Sequence, residues 1–306
     1  VAVLLLLFTL FEPRVWFVTL GTLSVSIISL TVSYIMTKKI TPELIFKRTD
    51  ISLKRIKNMM GNGVWNSLNS LGNVLNSGLD LLIANLMLTG TQTGQIAIAK
   101  TIENMFTMLY QLIFQPFQPR LLKAYANGDK QAFVSEVHKC MKISGMCSNI
   151  AFAGFFALGH LYFKLWLPEQ DYTYLTYLTI ITVFGAVTAG IIQPIYYINT
   201  LTLHVKLPCI LTILSGVLNV VSMYLLLSFT DLGPVAVVGT TVVIMLTMNL
   251  TFNPIYSAKC IGVNPMVFYK VMARHFVSTF SMVAFFCGIV LPAGCLPLIG
   301  LIFCAF

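Results

Sequence analysis

A run of asparagines inside an apolar stretch has the most direct chemical meaning in this sequence. The residues recur at steps of three and four positions, which places them on one face of an α-helix. Amide side chains both donate and accept hydrogen bonds, so such a row offers partners to hydroxyl groups, to water or to a neighbouring helix. The series consists of Asn62, Asn66, Asn69, Asn73, Asn76 and, at its end, Asp80.

The next apolar stretch carries a second polar series, Lys100, Glu103, Asn104, Thr107, Gln111, Gln115 and Gln118. An ionised group facing lipid costs at least about 2.5–3.5 kcal/mol, so both series must face protein or water. We interpret them as the lining of a hydrated pathway for a substrate or an ion. A dry hydrogen-bonded network between helices is the alternative. The predicted pathway residues are Asn66, Asn69, Asn73, Asn76, Asp80, Lys100, Glu103, Asn104, Gln111 and Gln115.

Three charged residues of these series are expected to lie at similar depth. Asp80 precedes the end of its stretch at Leu88 by eight residues, and Lys100 follows Gly94 by six. At the rise of an α-helix both positions are about 9–12 Å inside the membrane, and Glu103 follows one turn after Lys100. We interpret the cluster as a site that binds or relays a coupling H⁺ or Na⁺. A structural Asp80 to Lys100 ion pair, with Glu103 reaching the interface, is the alternative, and both interpretations stand at this point.

The composition excludes a soluble globular protein. The chain is 57% hydrophobic and 9% charged, whereas soluble domains are about 45–50% apolar and about 25% charged. Eight stretches approach the roughly 20 apolar residues of a spanning helix, and two short ones bring the count to about ten. The prediction is an all-α, polytopic helical membrane protein. The stretches are Val1–Phe11, Trp16–Met36, Asn62–Leu88, Gly94–Gln118, Ile143–Leu167, Tyr172–Ile198, Pro208–Ser228, Pro234–Tyr256, Phe268–Val290 and Cys295–Phe306.

Basic residues between these stretches predict the orientation. Of the 19 Lys and Arg residues, sixteen fall in one set of alternate loops and two in the other. Because positive loops stay inside, the basic set is expected on the cytoplasmic side of the membrane, and the positive charge requires no nucleic acid partner. The long connection Thr37–Gly61 interleaves apolar and basic residues. It is interpreted as an amphipathic helix at the membrane surface, with an ordinary solvated linker as the alternative.

Three stretches contain an amide followed by proline, at Gln115-Pro116, Gln193-Pro194 and Asn253-Pro254. A proline inside a helix frees a carbonyl group and bends the axis. We therefore expect kinks at these positions, in helices that can flex between two states.

No enzyme constellation is present in the sequence. It contains no Walker A, GxSxG or HExxH motif, and its 7 cysteines show no CxxC spacing. We therefore expect no catalytic residues, no metal site and no cofactor beyond a coupling ion.

Several short motifs resemble polysaccharide flippases of the O-antigen and capsule type, in the multidrug/oligosaccharidyl-lipid/polysaccharide exporter superfamily. The segment from Gly63-Val64-Trp65-Asn66-Ser67 to Asp80-Leu81-Leu82-Ile83 is similar to the start of the second half of these proteins. Other similar segments are Pro119-Arg120-Leu121, Ala124-Tyr125-Ala126-Asn127-Gly128-Asp129, Leu165-Trp166-Leu167 and Lys206-Leu207-Pro208 through Asn219 to Gly233.

The resemblance implies two pseudo-symmetric lobes that rock to give alternating access. It implies transport of a lipid-linked oligosaccharide from the cytoplasmic to the outer leaflet for cell-surface polysaccharide biosynthesis. Expected partners are this substrate, membrane lipid, a polysaccharide polymerase and glycosyltransferases. Such flippases often place basic groups in the cavity for the substrate's diphosphate, and Lys100 is the one candidate here.

The same resemblance predicts the domain layout, with the chain as a fragment that lacks N-terminal helices. Residues 1–36 are expected to be the last helices of a first lobe, 37–61 a cytoplasmic amphipathic linker, 62–256 a six-helix second lobe and 257–306 appended helices. A cation-coupled multidrug exporter of the same superfamily is the alternative function. It predicts more aromatic and acidic residues in the cavity and fewer amides.

Overall fold

A computed structural model describes residues 16–40, 63–65 and 67–290 of the chain. Within these ranges the fold is all-α and contains no strand, which confirms the predicted class. The two terminal stretches Val1–Phe11 and Cys295–Phe306 lie outside the described residues. So do most of the predicted linker and the positions Asn62 and Asn66.

Ten α-helices are described, together with shorter helical segments between some of them. They are α1 (Trp16–Ile40), α2 (Asp80–Met87), α3 (Gly90–Phe114), α4 (Gln118–Ala126), α5 (Lys130–Trp166), α6 (Tyr172–Leu201), α7 (Lys206–Phe229), α8 (Pro234–Thr247), α9 (Asn253–Ile261) and α10 (Met266–Val290). Residues 67–73 are also helical. A 3₁₀ turn, Gln115–Phe117, joins α3 to α4, and π-helical segments occupy Val74–Gly78 and Met248–Phe252.

Six helical spans of the described chain are long and apolar enough to cross a membrane. They are Leu23–Ile40, Lys130–Trp166, Tyr172–Leu201, Lys206–Phe229, Pro234–Ile261 and Met266–Gly288, and each overlaps a predicted crossing. The stretches with the two polar series are not among the six, although α3 is 25 residues long. Amide and charged side chains lower the mean hydropathy of α3, whereas the helix of the first stretch is interrupted at Leu79.

The chain divides into two compact units, residues 1–60 and 61–306. The first unit contains α1, and the second contains the other helices. Within the second unit α6 is central, packing against α3, α5, α8 and α9. Such a helix is apolar around its circumference because it is surrounded by protein. Helix α10 packs along α5.

Short polar turns set the ends of the helices. Thr89 and Gln92 form a capping box at the start of α3, and the Asp129 carboxylate accepts hydrogen bonds from the backbone of Gln131 and Ala132 at the start of α5. Helix α5 therefore begins thirteen residues before the predicted Ile143 and extends beyond the apolar stretch.

Buried apolar side chains gather in separate clusters along the helix axes. One contains Phe114, Leu121, Phe133, Ile195 and Phe268, and it lies where the chain enters the loops rich in Lys and Arg. We call this side of the second unit the basic end. A second cluster includes Ile83, Ile96 and Met223, near the opposite ends of α2, α3 and α7.

The helix predicted over Asn62–Leu88 is interrupted, which differs from the single continuous face expected from its spacing. The π-helical segment Val74–Gly78 is followed by Leu79, and α2 then begins at Asp80. Helix α7 packs against this segment at close range, since a Cβ atom on Gly216 would lie 2.6 Å from Leu75 Cβ. The asparagine row and Asp80 therefore do not share one continuous α-helical period.

The three amide–proline pairs have different local structures. Pro116 lies in the 3₁₀ turn between α3 and α4, and Pro254 begins α9 directly after a π-helical segment. Pro194 lies inside α6, which runs without interruption from Tyr172 to Leu201. The helix type therefore changes at two of the three pairs, and the expected kinks stay a prediction.

Candidate functional site

Three charged side chains meet between α2 and α3. Lys100 Nζ lies 2.6 Å from Asp80 Oδ2 and 3.2 Å from Glu103 Oε2. The exposed fractions of the side chains are 8% for Lys100, 0% for Asp80 and 13% for Glu103. We call these residues the charged cluster. The meeting of Asp80 and Lys100 that their depths predict is thus present in the structure, and Glu103 also contacts the lysine.

Polar side chains from two further helices extend the charged cluster. The Thr241 hydroxyl on α8 lies 3.2 Å from Asp80 Oδ2, within donating distance. Asn219 on α7 donates to Thr241 Oγ1 at 3.1 Å and to the Asn76 carbonyl oxygen at 2.7 Å. Asn76 in turn donates to the Thr212 carbonyl oxygen at 2.8 Å. The network therefore joins the first π-helical segment with α2, α3, α7 and α8.

The charged cluster has both the net charge and the unpartnered oxygen that binding of a cation requires. Two carboxylates and one ammonium group carry a net negative charge when all three are ionised. Within the described part of the chain, the buried Asp80 Oδ1 has no hydrogen-bond partner. An unpartnered buried oxygen is costly, and a proton or a small cation would satisfy it.

A second polar site lies at the basic end, between α3 and α6. It is a cleft of about 300 Å³ lined by Gln111, Phe114, Gln115, Gln118, Gln193, Tyr196, Tyr197 and Thr200. Four of these residues are glutamines and none is charged. We call this cleft the glutamine pocket. Its polar groups can pair with hydroxyl or amide groups of a ligand, whereas they offer no counter-charge to an anion.

The hydroxyl of Tyr196 connects the glutamine pocket to the second π-helical segment. It donates a hydrogen bond to Asn249 Oδ1, and Asn249 Nδ2 donates to Thr188 Oγ1 at 3.0 Å. Asn253 Nδ2 also reaches Asn249 Oδ1, at 3.4 Å. Asn249 is fully buried. It therefore joins α6 to Met248–Phe252 at a point directly beside the glutamine pocket.

The predicted pathway residues separate into distinct groups. Asp80, Lys100 and Glu103 form the charged cluster, and Asn76 belongs to its network. Gln111 and Gln115 line the glutamine pocket. The others are Asn69, which is half-buried, Asn73 and Asn104, which are exposed, and Asn66, which lies outside the described residues. Their role in a pathway stays a prediction.

Several site residues were missed by the analysis of the sequence. Asn219 and Thr241 extend the charged cluster, and Asn219 follows Thr212 and Ser215 on α7 at the spacing of one helix face, a signal that the sequence contains. Gln193 and Tyr196 also line the pocket, although the sequence indicated only Gln193, as the amide before Pro194. Their spacing of three positions, matching a turn of helix, was a usable signal.

Comparison with known proteins establishes the family. Residues 1–173 match the family described as "Polysaccharide biosynthesis protein". Because this match covers more than half of the 306 residues, the chain belongs to that family.

A curated relative supports this assignment. The chain is 28% identical over 266 residues to "Uncharacterized membrane protein EpsK" of Bacillus subtilis (strain 168). The alignment covers 87% of this chain and 52% of the relative, so the chain spans about half the length of that protein. No solved structure matches the chain significantly. The fold and the comparisons together define a multi-pass membrane protein that belongs to the polysaccharide biosynthesis protein family.

Proposed function

We propose that the protein moves a lipid-linked oligosaccharide from the cytoplasmic to the outer leaflet of the bacterial cell (inner) membrane. The observation that carries this proposal is the glutamine pocket, an uncharged polar cleft between α3 and α6, the second of which is long and apolar enough to cross a membrane. Polar surface of this kind is expensive in a bilayer and is generally retained for function. Membership of a polysaccharide biosynthesis family supports a carbohydrate as its ligand.

In this proposal the sugar head group crosses along the polar surface while the lipid tail stays in the bilayer. Alternating access comes from the rocking of two lobes, one of which contains the helices of the second unit. No covalent bond is made or broken, so the protein is proposed to be a transporter and not an enzyme. The basic loops lie in the cytoplasm, where glycosyltransferases assemble the substrate, and a polysaccharide polymerase receives it on the other side.

The charged cluster is proposed to couple transport to H⁺ or Na⁺. Protonation of Asp80, or binding of a cation at its free oxygen, weakens the attraction that holds Lys100 at 2.6 Å. Helix α3 carries both Lys100 and Gln111, which are separated by about 16 Å at the helical rise of 1.5 Å per residue. A shift of α3 at the charged cluster therefore reaches the glutamine pocket through a single rigid element.

The alternative function is a cation-coupled multidrug exporter. Its substrates are apolar and often cationic, so it predicts acidic and aromatic side chains in the binding cleft. The glutamine pocket contains three aromatic residues but no acidic one, and amides are its most frequent lining group. This composition favours a hydroxylated ligand over a drug cation.

The test is deletion of the gene, which should abolish the surface polysaccharide, followed by complementation of the deletion strain. The full-length protein should restore the polysaccharide, whereas the Asp80→Asn and Glu103→Gln variants should insert normally and fail to restore it. Glu136→Gln is the matched control, because Glu136 forms an exposed ion pair with Lys139 in the basic loop region. Normal polysaccharide with Asp80→Asn contradicts the coupling role. Unaltered polysaccharide but increased drug sensitivity in the deletion strain favours the exporter.

A further inference from the structure

We infer that the glutamine pocket is a recognition site for one uncharged pyranose ring, and that it excludes the diphosphate of the substrate. The inference deepens the proposed function by dividing the substrate into a part that this site binds and a part that it does not. Its role in transport rests on the proposed function, whereas the binding itself does not.

Unpaired amides are the first argument. No hydrogen bond within the described chain involves the side chain of Gln111, Gln115, Gln118 or Gln193. Each amide offers two donor hydrogens and an acceptor oxygen, which matches neighbouring hydroxyl groups on a sugar ring. Two of the four, Gln118 and Gln193, are half-buried, so water reaches them less freely than it reaches Gln111 and Gln115. A ligand that forms hydrogen bonds with these amides therefore binds more tightly than an apolar ligand of the same size.

Aromatic surface is the second argument. The Tyr196 hydroxyl is already bonded to Asn249, while 38% of the residue is exposed, so its ring offers a surface without a free polar tip. Tyr197 is held by an edge-to-face contact with Phe114, with ring centroids 5.7 Å apart. The negative face of an aromatic ring attracts the polarised C–H groups on one side of a pyranose. Amides beside tyrosines therefore fit both the polar and the apolar surfaces of a sugar.

The charge and the volume of the pocket restrict the class of ligand further. No lining residue is charged, so a phosphate or a carboxylate would lose its hydration without gaining a counter-ion. Arg120 and Lys123 follow in α4 but do not line the pocket. The volume of about 300 Å³ lies at the lower end of the usual range of ligand sites, about 300–1,000 Å³. It therefore suits one ring and not a whole oligosaccharide.

Saturation-transfer NMR on the purified full-length protein in detergent tests this inference. The probes are methyl glucoside, N-acetylglucosamine, glucuronate and glucose 6-phosphate, each added alone. We expect saturation transfer to the two uncharged sugars and none above the detergent blank to the two anions. Stronger transfer to either anion, or transfer to none of the four probes, overturns the inference.

A variant with Gln115→Leu and Gln193→Leu assigns the signal to the pocket. We expect binding of the uncharged sugars to weaken by about tenfold, the effect of losing two ordinary hydrogen bonds. Gln131→Leu is the matched control, because Gln131 is exposed at the start of α5, outside the pocket. The single variant Gln111→Leu, also at an exposed position, provides a second test if the double variant does not fold. Unchanged binding in the folded variants contradicts the inference.

The complementation assay separates the inference from the proposed function. If the wild-type protein restores polysaccharide but binds no uncharged sugar, the pocket assignment fails and the proposed function stands. If the double variant loses sugar binding and still restores full polysaccharide, the binding site stands but its role in transport fails. If the wild-type protein binds sugar and the deletion strain has normal polysaccharide, the proposed function fails while the pocket assignment stands.

Discussion

Lys100 Nζ and Asp80 Oδ2 lie 2.6 Å apart and connect two consecutive helices through side chains that are at most 8% exposed. The ion pair holds α2 against α3 where neither charge can be solvated by bulk water. Removing one partner of such a pair leaves an uncompensated charge, whereas removing both is often nearly neutral. The structure therefore makes these two residues energetically dependent on each other.

Substitution of Lys100 tests this dependence. Lys100→Met leaves the carboxylates of Asp80 and Glu103 facing each other without a cation, so we expect a loss of about 3–5 kcal/mol in stability. Adding Asp80→Asn to this variant removes one of the two carboxylates and should recover part of the loss. Thermal unfolding of the purified protein in detergent measures both effects. A Lys100→Met variant as stable as wild type would show that the pair is not a structural connection.

The asparagine series tests a hydrated pathway against a dry interface. Asn76 donates across to α7, so Asn76→Leu should reduce stability by about 1–2 kcal/mol, as for other hydrogen bonds between membrane helices.

Asn69 is half-buried and Asn73 is exposed. Their joint replacement by leucine should impair polysaccharide export while the protein still inserts and folds. The assays are complementation and thermal unfolding. Full export by the double variant would favour a purely packing role for this part of the series.

Much of the fold follows from local properties of the sequence. Six predicted crossings coincide with described spans because apolar length alone sets them. The contact of Asp80 with Lys100 follows from the helical rise and the short turn between α2 and α3. The π-helical segments were not predicted, because their partners are distant in sequence. Asn76 donates to Thr212 O across 136 positions, and no periodicity within either helix reveals such a pairing.

Part of the candidate site was predictable from the sequence, as was part of the fold. Gln111 and Gln115 belong to a helical series that the sequence displays, and both line the glutamine pocket. Gln193 and Tyr196 come from another helix, and only the packing of α6 against α3 brings them together. In a sequence without an alignment, a polar residue next to a proline indicates a kink as readily as a binding site.

Asn249 is expected to stabilise the second π-helical segment and the position of Tyr196. Asn249→Leu removes the hydrogen bonds to Tyr196 and Thr188. At roughly 0.5–1.5 kcal/mol per hydrogen bond, it should lower the free energy of unfolding by about 1–3 kcal/mol. Tyr196→Phe removes one of these bonds and should cost about half as much. Unfolding in detergent measures both losses, and hydrogen exchange of Met248–Phe252 should increase in the Asn249 variant. Equal stability of all three proteins would contradict this role.

The proposed orientation can be tested by labelling cysteines introduced in the loops. Lys139 and Glu169 lie at opposite ends of the second unit, near the start and after the end of α5. In intact cells a membrane-impermeant maleimide should label a Glu169→Cys variant and leave a Lys139→Cys variant unlabelled until the membrane is opened. The unsubstituted protein provides the background from its native cysteines. The reverse pattern would contradict cytoplasmic basic loops.

Reconstituted transport tests the central claim most directly. The full-length protein is placed in liposomes with a fluorescent polyprenyl-diphosphate oligosaccharide in the inner leaflet, and an impermeant sugar-oxidising reagent outside reports its arrival. We expect the wild-type protein to expose the labelled lipid faster than empty liposomes do, and an imposed H⁺ or Na⁺ gradient to accelerate it. The Asp80→Asn variant should match empty liposomes. Exposure at the same rate with and without the wild-type protein would contradict the proposed transport activity.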